Sequence, residues 1–152
     1  MNHSPAPFKV RPYRPGDSEA VADICRRSPQ SSQWPREIYD QAHSSGQIVV
    51  IAELNGQICG FVVARITGDE AEILNAAVDP AHRRKGIGSA LLTTAISSAQ
   101  AQNAKAIYLE VRESNSAAVS FYQRYGFEKT AERRGYYSSP TENAVVMKKL
   151  TV

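Results

Sequence analysis

Apolar and polar positions change period several times along the chain, and each change marks an element. FKVRPY (8–13) alternates with period two and predicts a short strand. Pro15-Gly16-Asp17 is a turn signal. EAVADICRR (19–27) then places Ala20, Val21, Ile24 and Cys25 at helical spacing, with Asp17 or Ser18 available as the cap. SPQSSQWP (28–35) interrupts the pattern, and REIYDQAHSS (36–45) predicts a second helix stopped by Gly46. QIVVIAEL (47–54) and QICGFVVARI (57–66) are strands, joined by Asn55-Gly56, a strong hairpin signal. Gly68-Asp69-Glu70 turns the chain into a third strand of this run, EAEILNAAV (70–78).

Helical spacing returns between Gly86 and Asn103, where Ile87, Ala90, Leu91, Ala95 and Ile96 form an apolar stripe. KAIYLEV (105–111) predicts a strand. NSAAVSFYQRYG (115–126) predicts a helix that Gly126 closes in a left-handed cap. FEKTAERRGYY (127–137) and ENAVVMKKL (142–150) predict two final strands. The order β-α-α-β-β-β-α-β-α-β-β is that of a mixed α/β domain. The crossover from 78 to 105 makes one strand pair parallel. Residues 8–150 read as a single domain, and residues 1–7 as a flexible N-terminus.

Composition narrows the classes without choosing among them. The chain has 152 residues, 42% of them hydrophobic and 22% charged, enough for one soluble domain with a core. No apolar run is long enough to span a bilayer, and MNHSPAPFKV has no signal architecture, so a cytoplasmic protein without membrane attachment is expected. Cys25 and Cys59 have no C-x-x-C or His neighbour and read as buried structural thiols, with no metal site. A net charge of +3 is too small to argue for specific nucleic-acid binding. A monomer or weak dimer is expected.

The stretch RRKGIG (83–88) asks for an explanation, because three cations run into two glycines at the start of a predicted helix. The first N–H groups of a helix have no partner within it and sit at the positive end of its dipole. Gly86 and Gly88 allow close approach to that backbone, and Arg83, Arg84 and Lys85 add charge. The combination is a cradle for phosphate or pyrophosphate, or else a solvated basic loop with two turn glycines. The Walker pattern G-x-x-x-x-G-K-[ST] is absent, and GIGSAL has Leu91 where a dinucleotide fingerprint needs a third small residue.

AVDPAHRRKGIGSALL resembles the R/Q-x-x-G-x-G/A signature of the GNAT family of N-acetyltransferases. YLEVRESNSAAVSFYQRYGF (108–127) resembles the second half of that family. RRGYYSSPTENAVVMKKL (133–150) is similar to the ending of its ribosomal-protein-alanine N-acetyltransferase (RimI) type. The resemblance is strong over roughly residues 70 to 150. It implies a GNAT fold, a mostly antiparallel sheet of about seven strands with about four helices, and acetyl-CoA as co-substrate without a metal. It also implies that the turn of Arg83, Arg84, Lys85, Gly86, Ile87, Gly88 and Ser89 binds the pyrophosphate. Asn115 reads as a helix cap and, by the resemblance, would also hold the pantetheine arm or its neighbours. Ala76, Ala77 and Val78, otherwise a buried strand, would pair with pantetheine along a strand splayed from KAIYLEV, with the Val78 N–H polarising the acetyl carbonyl.

Acetyl transfer from a thioester to an amine needs a base for the amine, whose pKa is about 8 for an α-amino group and about 10.4 for lysine. It also needs a donor to the carbonyl oxygen and a proton for the departing thiolate. The resemblance gives the base to Glu110, otherwise a strand-edge carboxylate paired with Arg112 or another nearby cation. It gives the acid to Tyr122, otherwise core like Phe121, with Tyr125 read as packing. Trp34, Tyr136 and Tyr137 are aromatic residues that, by the same resemblance, would border the groove for the acceptor, a protein N-terminus such as that of a ribosomal protein; singly, each also reads as packing. The SSPTENAVV loop and the SSQWP stretch depart from the RimI type, and both lie on the acceptor side. Three alternatives stay open: a lysine side chain as acceptor, a small-molecule amine as acceptor, and a non-catalytic acyl-CoA-sensing module.

Overall fold

A computed structural model describes residues 8–151; the N-terminal stretch 1–7, expected as a loose end, lies outside the described residues. Seven strands and four helices follow the expected order: β1 (Phe8–Pro12), α1 (Ser18–Arg26), α2 (Glu37–Ser44), β2 (Ile48–Leu54), β3 (Gln57–Thr67), β4 (Glu70–Val78), α3 (Ile87–Ala101), β5 (Ala106–Arg112), α4 (Ser116–Arg124), β6 (Glu128–Tyr137) and β7 (Glu142–Leu150). A short 3-10 turn, Pro80–His82, follows β4 and was not expected. The strands form one sheet in the order β1-β2-β3-β4-β5-β7-β6. Neighbours are antiparallel except β4 and β5, which the α3 crossover makes parallel.

Alternation along the strands gives this sheet two cores. Val50, Val62, Ile73, Ile107, Leu109 and Met147 pack with α3 on one face. Val49, Ile51, Phe61 and Val63 pack with Val21, Ile24, Cys25 and Tyr39 of α1 and α2 on the other. The buried stripe of α3 is Ile87, Leu91, Leu92, Ala95 and Ala99. Ala90 and Ile96, expected in the stripe, flank it half-buried, because the helix lies on the sheet rotated toward Leu92 and Ala99. In α1, Ala22 is buried where Ala20 was expected. Cys25 and Cys59 are buried free thiols. No helix among the described residues is long and apolar enough to cross a membrane.

Asp17 stands at the N-cap position of α1 but makes no side-chain cap bond. Its carboxylate is taken by Arg11, whose Nη1 and Nη2 donate to Oδ2 and Oδ1 at 2.8 and 3.0 Å, and by the Arg14 N–H at 2.7 Å. Arg11 Nε also donates to Glu53 Oε2 at 2.6 Å, so one guanidinium joins β1, the entry to α1 and β2. Burial alone would raise the pKa of Asp17, but the bonds from Arg11 and Arg14 outweigh it and hold the carboxyl below its ordinary value. A lowered folded pKa gives stability that is present above the unfolded pKa and lost as pH falls through the folded one. Asp17→Asn should therefore cost about 2 kcal/mol in urea unfolding at pH 7. The gap to wild type should close as pH falls below the ordinary carboxylate range, through the lowered pKa of the folded state. A gap independent of pH would contradict the role given to this carboxylate.

Candidate active site

β4 and β5 pair at only three positions, Glu70–Ala106, Ala71–Ile107 and Glu72–Tyr108. Beyond them the strands part. The register between β3 and β4 steps from Ala64–Ile73 to Val63–Asn75, so Leu74 is an extra residue in β4. Such a bulge bends and twists its strand. The Asp79 N–H donates to the Cys59 carbonyl at 2.8 Å, and Ala77 lies opposite Phe61. Antiparallel alternation then points the backbone groups of Ala77 at β3 and those of Ala76 and Val78 into the opening.

The start of α3 faces the same opening. Gly86 is its N-cap at φ +81°, with no side-chain cap bond, and Arg84 also has positive φ, at +64°. Left-handed residues alternating with ordinary ones turn successive N–H groups inward as an anion nest. The first intrahelical bond is that of the Ala90 N–H to the Gly86 carbonyl, at 3.1 Å, which leaves the N–H groups of Ile87, Gly88 and Ser89 as first-turn donors. Gly88 is not in the left-handed region, and its missing side chain leaves room at the cleft. A Cβ there would lie 3.6 Å from Phe121 Cζ and 3.7 Å from Val78 Cγ2 and fill the gap between α3, β4 and α4.

α4 closes the other side. Asn115 caps it, its Oδ1 accepting from the Ala118 N–H at 3.2 Å. At the far end Gly126 has φ +92°; its N–H donates to the Gln123 carbonyl, and the Phe127 N–H donates to the Tyr122 carbonyl, both at 3.0 Å. This is a Schellman cap. Phe127, 1% exposed, meets the Tyr122 ring edge-on at 5.5 Å, so the cap and the core together fix Tyr122. Burial pushes the Tyr122 phenol up to about 12. The resulting cleft, about 700 Å³, is lined by Ala76–Val78, Arg83, Arg84, Gly86–Ser89, Asn115 and Tyr122.

Glu110 lies on the other face of the sheet. Ile107, Leu109 and Val111 of β5 pack toward α3, so Tyr108, Glu110 and Arg112 point away from it. Glu110 lines a smaller hollow, about 210 Å³, with Glu70, Glu72, Arg65 and Tyr108 where β4 and β5 begin to part. Its Oε1 accepts from Arg133 Nη1 at 2.6 Å. Arg133 lies over the Tyr136 ring at 4.4 Å, and Tyr136 meets Tyr137 edge-on at 5.0 Å. A hydrogen bond with Glu110 raises the Tyr136 phenol; burial first, then the Glu110 charge, pushes Tyr137 up to about 12.

Residues 18–127 match the acetyltransferase (GNAT) family. The chain belongs to that family. The ribosomal protein bS18-alanine N-acetyltransferase of Escherichia coli (strain K12) is 38% identical over 95 residues, which is 61% of this chain and 64% of that one. The chain thus spans just under two thirds of the length of the curated relatives it first matches. Among solved structures, the ribosomal-protein-S18-alanine N-acetyltransferase from Escherichia coli superposes with a TM-score of 0.85 at 28% identity, covering 95% of this chain and 94% of that chain. Ard1 from Thermoplasma volcanium superposes with a TM-score of 0.88 at 32% identity, covering 96% and 99%.

In this GNAT chain several expected residues sit differently from their sequence reading. Lys85 is exposed and does not line the cleft. The Ser89 hydroxyl bonds the Tyr125 hydroxyl, so only its backbone N–H faces the cleft freely, and Tyr125 does more than pack. Trp34 is half-buried against Tyr39 at 5.5 Å, as part of the α1/α2 core. The cation beside Glu110 is Arg133; Arg112 instead bonds Glu142 at 3.2 Å. Sequence reasoning had no signal for Arg133, whose contact spans two strands. His82 lines the cleft with a buried Nδ1 that has no partner among the described residues, and its place beside RRKG was the available signal.

Gly126→Ala tests the cap behind Tyr122. The new Cβ would require φ +92° and lie 2.7 Å from Lys149 Nζ, the movable end of a side chain, so backbone strain dominates. A loss of about 1–2 kcal/mol in urea unfolding is expected, with Gly126→Asn losing less because asparagine tolerates the left-handed region. Equal losses in the two variants would contradict the backbone explanation.

Proposed function

We propose that this protein transfers an acetyl group from acetyl-CoA to a primary amine, the N-terminal α-amino group of a protein and foremost of a ribosomal protein. The observation that carries the reading is the parting of β4 from β5 beside the α3 cradle, with Tyr122 in the same cleft. The residues fit the co-substrate. The N–H groups of Ile87, Gly88 and Ser89, beside Arg83 and Arg84, suit a pyrophosphate. The free edge of Ala76–Val78 suits the amides of a pantetheine arm, which would add to β4 as a strand does. Asn115 stands at the far wall.

The thioester supplies the acyl group; the chain supplies position, charge and protons. The Val78 N–H donates to the carbonyl oxygen as negative charge grows there. Glu110 takes the amine proton from the opposite face of the opening, directly or through water, and the incoming amine competes with Arg133 for that carboxylate. Tyr122, with a pKa of about 12, keeps its proton throughout the neutral range. It donates a hydrogen bond to the sulfur first and yields the proton only as thiolate charge forms. Acceptor choice falls to the side chains near Glu110, Tyr136 and Tyr137, and to the segment carrying Trp34 on the same face of the sheet.

Coenzyme A release with two matched peptides tests the reading. One peptide has a free N-terminal alanine and no lysine; the other has a blocked N-terminus and one lysine. Turnover of the first alone is expected, with Tyr122→Phe and Glu110→Gln each lowering kcat about 10²-fold. Turnover of the lysine peptide alone would overturn the α-amine assignment, and unchanged rates in both variants would overturn the assigned acid and base. The raised Tyr122 pKa gives a pH prediction with a definite sign. Ionisation of this phenol removes activity as pH rises through about 12, so kcat should show no Tyr122-dependent fall up to about pH 10. A fall centred near pH 8 in wild type and absent from Tyr122→Phe would contradict it.

A further inference from the structure

The segment between α1 and α2 has no regular structure and is held together by side chains. The Gln33 amide donates to the Cys25 carbonyl, and the Ser31 hydroxyl to the Ser28 carbonyl, both at 2.6 Å. Its middle is held from the sheet. Asn75 of β4 is 5% exposed. Its Oδ1 accepts from the Ser32 N–H at 3.1 Å, while its Nδ2 donates to the Ser32 carbonyl at 3.0 Å and to the Tyr39 hydroxyl at 3.2 Å. A primary amide can accept from and donate to the backbone of one residue in this way; a carboxylate only accepts, and an alkyl group does neither.

The bulge puts Asn75 there. With Leu74 extra in the strand, Leu74 and Asn75 both serve the α1/α2 face, and the next residue, Ala76, begins the free edge of the opening. The fastened segment borders that edge: Gln30 lines the large cleft, and Arg27 Nη2 donates to Asp79 Oδ2 at 2.7 Å just past the end of β4. Trp34, two residues beyond Ser32, rests on Tyr39, which the same amide holds. This face of the sheet is also the one that carries Glu110.

We propose that Asn75 is a positioning residue, fastening the 28–34 segment to the bulge of β4 and so setting the wall against which the acceptor amine is aligned with the free edge of Ala76–Val78. The inference rests on the acetyl-transfer reading for its consequence, but the fastening itself has a separate readout. Trp34 is the single tryptophan of the chain. Its quenching by acrylamide reports the segment without any turnover.

Asn75→Ala removes the clamp from the sheet, and Ser32→Pro removes the N–H from the segment while leaving the core intact. For each, Trp34 quenching should rise about two-fold. The KM for the free-N-terminus peptide should rise about ten-fold, while the acetyl-CoA Kd by calorimetry stays within about two-fold. Should Asn75→Ala yield no folded protein, Ser32→Pro carries the test. A purely structural role would lower the melting temperature and the active fraction with both KM and quenching unmoved, and that result would overturn the proposal; so would an acetyl-CoA Kd that weakens as much as the peptide KM. Should wild type turn over neither peptide, the acetyl-transfer reading fails by itself. Raised quenching would then uphold the fastening, and unchanged quenching would overturn it.

Discussion

Two parallel strands that pair at three positions and then separate leave peptide groups facing each other across a gap too wide for a hydrogen bond. Such groups must find water or another chain, since an unpaired backbone group kept from both is costly. Here the gap is kept open from both sides. The Leu74 bulge bends β4 away, and β5 is held along its whole length by β7, from Ala106–Leu150 to Arg112–Ala144. The edge of Ala76 and Val78 is therefore a strand template inside the molecule, where the α3 and α4 walls restrict what can add to it.

The same parting divides the site between the two faces of the sheet. The nest at the start of α3, Asn115 and Tyr122 belong to the α3/α4 side. Glu110, Arg133 and the Tyr136–Tyr137 pair belong to the other. A direct transfer between two bound substrates suits this division, because each substrate can arrive from its own face and meet the other only at the opening. The bulge joins the two halves: Asn75 reaches the α1–α2 segment on one face, and Ala76 starts the edge that serves the other.

Much of this was legible because it is local. Period changes located the seven strands and four helices to within a residue or two, and the single crossover fixed the one parallel junction. The RRKGIG turn was readable as a helix entrance with exposed donors, since glycine placement and helix-end chemistry act within a few residues. What the sequence hid depends on pairing at a distance. Nothing in EAEILNAAV marks Leu74 as the extra residue, because a bulge is defined only against the partner strand. Asp17 looked like a cap, and it stands at that position, but its carboxylate answers to Arg11 in β1. Glu110 was expected to pair with Arg112 or another nearby cation; the two side chains share a face of β5, but Arg112 reaches Glu142 on β7 and Arg133 of β6 takes the Glu110 carboxylate. The left-handed Arg84 was hidden for a similar reason, since glycines invite positive φ and arginines do not.

Residue-resolved amide hydrogen exchange, with and without saturating acetyl-CoA, tests the central claim most directly. If the open edge of β4 and the start of α3 receive the co-substrate, protection should rise at Ala76 and Val78 and at Ile87, Gly88 and Ser89. Ala77, already turned toward β3, should change little. Tight binding of acetyl-CoA with these amides unchanged would contradict a site built on the parting of β4 and β5.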